Sequence, residues 1–226
     1  MARIFIDGFE SGNGTLWNLS DVSAPVSTSG LGFTGDYCFR INYGYMYRML
    51  PAPATELYVA FKWRPDVANS TNTVVVFRDG TLEKARLFTV NPGRLYCDLG
   101  ADTGSEKDST ASGIFKLETV HLVEMYYKAS NTVGTITVKL DGVEILDFDG
   151  DTNFSGTPQF DNIYFGASSA GYATAYFDDV VFDGSAWPGD TRIQAIKATA
   201  DVTTTEWTPS TGANWNCIDE TPASSS

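Results

Sequence analysis

Three tyrosines fall at alternate positions in "INYGYMYRML" (41–50): Tyr43, Tyr45 and Tyr47. In an extended strand they share one side. Sugars stack on exposed aromatic faces, so this stretch is a candidate glycan platform; packing on the core or on a neighbouring subunit would use the same residues equally well. Groups for bond-breaking chemistry are harder to find. Retaining glycosidases need two carboxyl groups about 5 Å apart, which jelly-roll glucanases set at alternate strand positions, and no "ExDxxE" pattern occurs. Asp147 and Asp149 in "LDFDGD" share a face but follow a hairpin, where a turn rich in acidic residues is expected. His121 is the single histidine and sits in an apolar stretch that suits a packed imidazole. "GxSxG", a Cys in catalytic context and a Gly-rich phosphate loop are all missing. The chain is therefore expected not to be an enzyme.

These residues must be positioned by strands, because long helical periodicity is absent and period-two alternation recurs. In residues 56–64, Leu57, Val59, Phe61 and Trp63 line one face while Glu56, Lys62 and Arg64 line the other. Thr73 to Phe77, Arg86 to Val90 and Arg94 to Leu99, separated by "RDG" and "NPG", form an antiparallel meander. "ETVHLVEMYYKA" (118–129) is apolar on both alternating sets and reads as a central strand covered on both sides. Asp141-Gly142 marks a two-residue hairpin turn. "QFDNIYFGAS" and "ATAYFDDVVFDG" supply the last strands, and "GADTGSEKDSTASG" (100–113) reads as a long exposed loop. So many short strands without a helix imply two antiparallel sheets packed face to face.

The 226 residues suit one large domain or one domain with an appendage. No run of about 18 apolar residues exists to span a bilayer. The start, Met1-Ala2-Arg3 into Ile4-Phe5-Ile6-Asp7, lacks the features of a secretory signal, so synthesis in a host cytoplasm is expected. Cys38, Cys97 and Cys217 are odd in number and widely spaced, which supports neither a disulfide framework nor a zinc site. A net charge of −13, spread along the chain, opposes contact with phosphate backbones and argues against a nucleic-acid partner. From Trp187 the composition changes to Thr, Ser and Pro, with Trp187, Trp207 and Trp215 making up three of the five tryptophans. A segment too polar to form a core yet studded with Trp reads as an arm, 187–226, that docks on its own sandwich, a second copy or another protein.

Two likenesses sharpen this reading. "TVHLVEMYYKASNTVGTITVKLDGVEIL" resembles the strand and "DG" hairpin of concanavalin A-like and laminin G-like jelly rolls, over roughly residues 1–186. "GDTRIQAIKATADVTTTEWTPSTGANWNCIDE" resembles a segment found after such jelly rolls in tailed-phage virion proteins, with the pattern "GDxR", "TxxWTPSxGxN" and "DExP". The first implies that the opening and closing strands lie side by side, placing Ile4-Phe5-Ile6-Asp7 beside Tyr176-Phe177-Asp178-Asp179. In addition, "FESG" (Phe9 to Gly12) with Trp17 and the late "FDDV" (177–180) resembles the paired motif of MAM domains and related carbohydrate-binding sandwiches. That likeness implies a structural Ca²⁺ held by Glu10 with Asp178 or Asp179, and Asp7 as a further oxygen donor. Solvent-facing or turn-capping carboxylates are the alternative.

Taken together, the expectation is an all-β, two-sheet antiparallel jelly-roll sandwich (1–186) with an extended C-terminal arm (187–226). It would be a non-enzymatic virion structural protein on the particle exterior, as head decoration or tail or fibre component, contacting other virion proteins and copies of itself through Trp187, Trp207 and Trp215. A glycan- or receptor-binding adsorption module, reading a host surface glycan on the Tyr43, Tyr45 and Tyr47 face, is the competing expectation.

Overall fold

The computed structural model describes residues 3–20, 25–33, 35–42, 44–66, 72–90, 93–100, 106–153, 155–166 and 174–193. The chain divides into a compact unit Met1–Ile193 and a second unit Gln194–Ser226, which lies outside the described residues, as do Tyr43, Trp207, Trp215 and Cys217.

The described residues form strands: β1 Arg3–Asp7, β2 Asn18–Ser20, β3 Pro25–Ser27, β4 Tyr37–Ile41, β5 Tyr45–Ala54, β6 Glu56–Pro65, β7 Asn72–Asp79, β8 Leu82–Val90, β9 Arg94–Leu99, β10 Glu106–Ser109, β11 His121–Lys128, β12 Gly134–Leu140, β13 Val143–Gly150, β14 Phe160–Phe165 and β15 Ala175–Asp183. Every pairing is antiparallel, in two sheets. The first runs β13-β12-β11-β6-β15-β4-β3, with β1 also on β15, and the second runs β10-β9-β8-β7-β14-β5-β2. This is a jelly-roll sandwich.

Alternation builds the core as the sequence implies. Leu57, Val59, Phe61 and Trp63 are buried and meet Val123, Met125 and Tyr127 of the neighbouring β11. The second sheet supplies Phe77, Leu87, Cys97, Ile163 and Phe165 from its inner face. The outer face of β11 is partly covered too: Trp187 stands edge-on to Tyr58 and near Tyr126, whose rings stack at 4.4 Å. Asp141-Gly142 turns the β12–β13 hairpin with both residues at positive φ, 53° and 80°, the backbone that a tight two-residue turn demands and Asp-Gly tolerates.

Two local expectations are corrected. Asp147 and Asp149 lie within β13, not in a turn, where each accepts a hydrogen bond from a threonine hydroxyl of β12, Thr137 and Thr135. The 100–113 stretch is not all loop, because β10 pairs with β9 inside it. Its composition is polar since it forms the sheet edge, where one side faces water. A further feature without a sequence signal is Lys84, wholly buried at a bulge in β8. Its ammonium donates to Asn153 Oδ1 and to the carbonyls of Ser155 and Thr157, pinning the loop before β14. Burial pulls its pKa down, against the attraction of Asp79.

Phe165 is fully buried, with the rings of Trp17, Phe61, Phe177 and Phe182 around it. Phe165→Ala should lower the unfolding free energy by about 3–5 kcal/mol, read by urea denaturation. A loss below about 1 kcal/mol would contradict this packing.

Candidate functional site

The outer face of the second sheet gathers aromatic rings and guanidinium groups. The register aligns Tyr47 (β5), Tyr164 (β14), Val76 (β7), Arg86 (β8) and Asp98 (β9) in one cross-strand row. Their inward-facing neighbours belong to the core, so alternation sends this row outward. Tyr47 and Tyr164 stack nearly parallel, with centroids 4.6 Å apart, and Tyr45 leans on Tyr164 at 5.0 Å. Arg78 lies over the Tyr164 ring, 4.3 Å from its centroid, and 6.0 Å from that of Tyr45. Towards β9 the face continues with Phe88 stacked on Tyr96, Arg86 over Phe88 and Arg94 over Tyr96. All these rings and arginines are half-buried. The sequence placed Tyr45 and Tyr47 together. It did not reveal Tyr164 or Arg78, which come from strands far along the chain and join only through the pairing register.

The guanidinium groups differ in how they are used. Arg86 is held by Asp98 through Nε at 3.2 Å and Nη2 at 2.6 Å, a two-pronged pairing. Arg78 reaches Glu83 through Nη2 at 3.2 Å, and its buried Nε has no hydrogen-bond partner. Burial raises the Tyr164 hydroxyl pKa, and the nearby Arg78 opposes that shift.

The acidic strands at the two ends of the sandwich do meet, with an offset. β1 pairs with the second half of β15, Asp7 opposite Val180, while β4 pairs with its first half, Phe177 opposite Phe39. β1 and β4 thus share one edge of β15, and Asp178 and Asp179 occupy the break between them, where the β6 pairing is also irregular. Asp179 takes a positive φ of 48°. Glu10 enters from the turn after β1, and its Oε2 accepts the Asp36 N–H at 2.9 Å. Its carboxylate lies so close to Gly35 that a Cβ there would come within 2.1 Å of Oε1 and displace it, and the φ of 104° at Gly35 favours glycine.

Three carboxylate oxygens in this gap are buried without a partner: Glu10 Oε1, Asp178 Oδ2 and Asp179 Oδ2. Asp178 is 0% exposed and Asp179 3%. Burial first, then the charge of Asp179 with help from Glu10 and Asp7, pushes the Asp178 carboxyl up to about 9. Burial also raises Asp179, against the Ile193 N–H at 2.8 Å and the charge of Lys62. Asp7 is engaged by its own turn, where its two oxygens accept the Phe9 N–H at 2.9 Å and the Trp17 indole N–H at 2.7 Å. Among the described residues no three acidic, His or Cys side chains are already drawn together as a finished metal cage. The donor chemistry nonetheless fits a hard cation, which takes unpartnered carboxylate oxygens in irregular geometry.

The remaining candidates are engaged elsewhere. Trp187 packs on its own sheet, with the Lys139 ammonium 3.9 Å from its ring centroid. His121 faces Asp141 Oδ2 through Nδ1 at 2.7 Å and accepts the Lys116 N–H at Nε2, while Asp141 Oδ1 accepts the Leu122 N–H; the imidazole locks the hairpin. A recess of about 450 Å³ on the first sheet, lined by Lys62, Glu124, Asp141 and Asp190 among others, is bridged by its own groups: Lys62 pairs with Asp190, and Glu124 accepts the Gly189 N–H. Cys38 and Cys97 are buried free thiols.

No protein-family model and no curated protein matches the chain. Solved structures do. It is similar to a sialidase at TM-score 0.60 and 14% identity, over 81% of this chain but only 18% of that one. It is similar to the endo-β-1,4-glucuronan lyase of the fungus Trichoderma reesei at TM-score 0.60 and 13% identity, over 80% and 94% of the two chains. A carbohydrate esterase of the Shiga toxin-encoding bacteriophage phi24B aligns at TM-score 0.56 and 11% identity, over 80% and 97%. At these identities the likeness establishes the sandwich fold. It also corrects the expectation that the chain is not an enzyme. The fold is shared with a lyase and an esterase, and short motifs along the chain do not decide which residues of separate strands meet in a site.

If the tyrosine cluster serves a ligand more than stability, Tyr47→Ala and Tyr164→Ala should each cost only about 1–2 kcal/mol of unfolding free energy, the aromatic pair plus its half-buried area. Denaturant titration measures this, and losses equal to that of Phe165→Ala would make the cluster a structural one.

Proposed function

We propose that this chain is a glycan-binding β-sandwich carried on the outside of a tailed-phage particle. The observation that carries the reading is the cluster of Tyr45, Tyr47 and Tyr164 on one outward sheet face, with Arg78 among the rings. The half-exposed phenols offer apolar contact and hydroxyl hydrogen bonds to a pyranose, and the guanidinium adds hydrogen bonds that fix its orientation. On the first sheet the comparable pair, Tyr58 and Tyr126, already has Trp187 against it. Solved sandwiches of this fold act on carbohydrate as a lyase and an esterase, so it is one on which sugar sites are built. The placement on a particle rests on the resemblance of residues 189–220. The attachment to other virion proteins, or to copies of this chain, is assigned to the segment after Ile193, with Trp207 and Trp215.

Tyr47→Ala or Tyr164→Ala should weaken binding to an immobilised polysaccharide about tenfold, since loss of one aromatic anchor costs roughly 1–2 kcal/mol. Affinity electrophoresis across a panel of polysaccharides checks this, and wild-type mobility unchanged throughout the panel would overturn the reading.

The acidic gap is proposed to take one Ca²⁺ between Glu10, Asp178 and Asp179, joining β15 to the turn that follows β1. The cation would neutralise carboxylates that burial otherwise forces to hold a proton. Calcium at a hundredfold excess over its Kd should raise Tm by roughly 5–10 °C, and Asp178→Asn should abolish the response. An identical Tm in calcium and in chelator would exclude the site.

A further inference from the structure

The face that carries the tyrosines also indicates the chemical class of its ligand. Among the described residues it bears, by register, three arginines, Arg78, Arg86 and Arg94, and three acidic residues, Glu83, Asp98 and Glu106, the last placed opposite Asp98. Arginines and acids are thus balanced on this face, whereas the whole chain carries a net charge of −13. The carboxylates are unequally committed. Asp98 is given over to Arg86, and Glu83 is divided, with Oε2 at 3.2 Å from Arg78 Nη2 and Oε1 at 3.5 Å from Arg86 Nε. Arg94 donates through Nε to the Thr110 carbonyl. The acidic groups at the nearby strand ends are occupied by the turns: Asp161 Oδ1 accepts the Gly80 N–H at 2.9 Å, and Asp79 Oδ1 accepts Gln159 Nε2 at 3.4 Å.

Arg78 is the arginine set among the tyrosines, and Glu83 and the Tyr164 hydroxyl use only part of its donor capacity. A guanidinium has five N–H donors; this one makes a long hydrogen bond to a shared carboxylate, and its buried Nε has no partner. The Tyr164 ring beneath it holds the plane in place, so little rotamer entropy is left to lose on binding. A planar, pre-set fork beside stacked phenols matches a carboxylate carried on a sugar ring, with the ring against tyrosine and the carboxylate against arginine.

We propose that the ligand is an acidic glycan, a uronate-type residue whose carboxylate is read by Arg78 while its ring stacks on the Tyr45, Tyr47 and Tyr164 cluster. This rests on the reading of the same face as a glycan site. A neutral sugar would offer Arg78 single hydroxyl acceptors and not the charged, two-oxygen partner of a carboxylate. Because the chain is strongly negative, a polyanion gains nothing from the overall field; affinity for one has to come from this face.

The test uses oligoglucuronates of defined length and the same oligosaccharides with their carboxyl groups reduced to primary alcohols, titrated calorimetrically into the full chain. The acidic form is expected to bind at least about tenfold more tightly. Arg78→Met should remove that preference and leave the weaker, neutral binding in place. Arg78→Lys, which keeps the charge and loses the fork, should retain only part of it. Equal binding of the two forms by the wild-type chain would overturn the acidic class while leaving the glycan platform standing. A preference that survives in Arg78→Met would overturn the assignment to Arg78. Binding of neither form, at concentrations where another polysaccharide is bound, would likewise reject the acidic class, whereas failure with every polysaccharide would remove the platform reading itself. The wild-type comparison of the two ligands needs no variant, so the class is tested even if Arg78→Met fails to fold.

Discussion

Each sheet of a two-layer sandwich can bury only one face, and that constraint decides most of what this molecule presents to its surroundings. With Phe77, Leu87, Cys97 and Phe165 committed to the interior, the alternate residues of the same strands have to point out. Antiparallel register then sets which of them become neighbours. Tyr47, Tyr164, Val76, Arg86 and Asp98 share a row because the core residues beside them share one on the opposite face. A slip of one residue in β14 would turn Tyr164 inward and Phe165 outward. The apolar core and the tyrosine–arginine face are two sides of one register.

The first sheet faces a different demand. β15 has one edge and two strands to fill it, and the break between β4 and β1 leaves Asp178 and Asp179 buried with oxygens that no amide reaches. Buried carboxylates without partners are costly, so they persist in a fold where something offsets them: a proton, the Ile193 N–H, or a cation. The gap is where the start of the domain, its closing strand and the segment leading to Gln194 converge. Ile193 bonds to Asp179 and packs against Gly8, so a cation there would fasten both ends of the unit at one point. On the proposed reading the two regions divide the labour, with the ends secured in the first sheet and a binding surface on the second.

How much of this was legible in the sequence follows from the range of each interaction. Alternation within a strand is local, so the faces of β6 and β11, the Asp-Gly hairpin and the pairing of Tyr45 with Tyr47 could be read directly. The "FESG" stretch also carried its meaning: Phe9 and Trp17 are core rings, Gly12 takes a positive φ, and Glu10 turns into the acidic gap. Contacts set by non-local register were hidden. Nothing near Tyr47 signals Tyr164 or Arg78, and nothing near Lys84 announces the three oxygens it holds. The negative inference about catalysis failed for a related reason, because it asked for short motifs along the chain, whereas this fold assembles its face from five strands.

The most direct test of the glycan platform is a nuclear magnetic resonance titration of the isotopically labelled chain with an acidic oligosaccharide, following the rings of Tyr45, Tyr47 and Tyr164 and the Arg78 Nε–H signal. The account predicts that these resonances move together and saturate at one stoichiometry, while signals from Lys62, Leu122 and Asp190 on the first sheet stay still. Saturable shifts on the first sheet with an unperturbed tyrosine cluster would place the ligand elsewhere and contradict it.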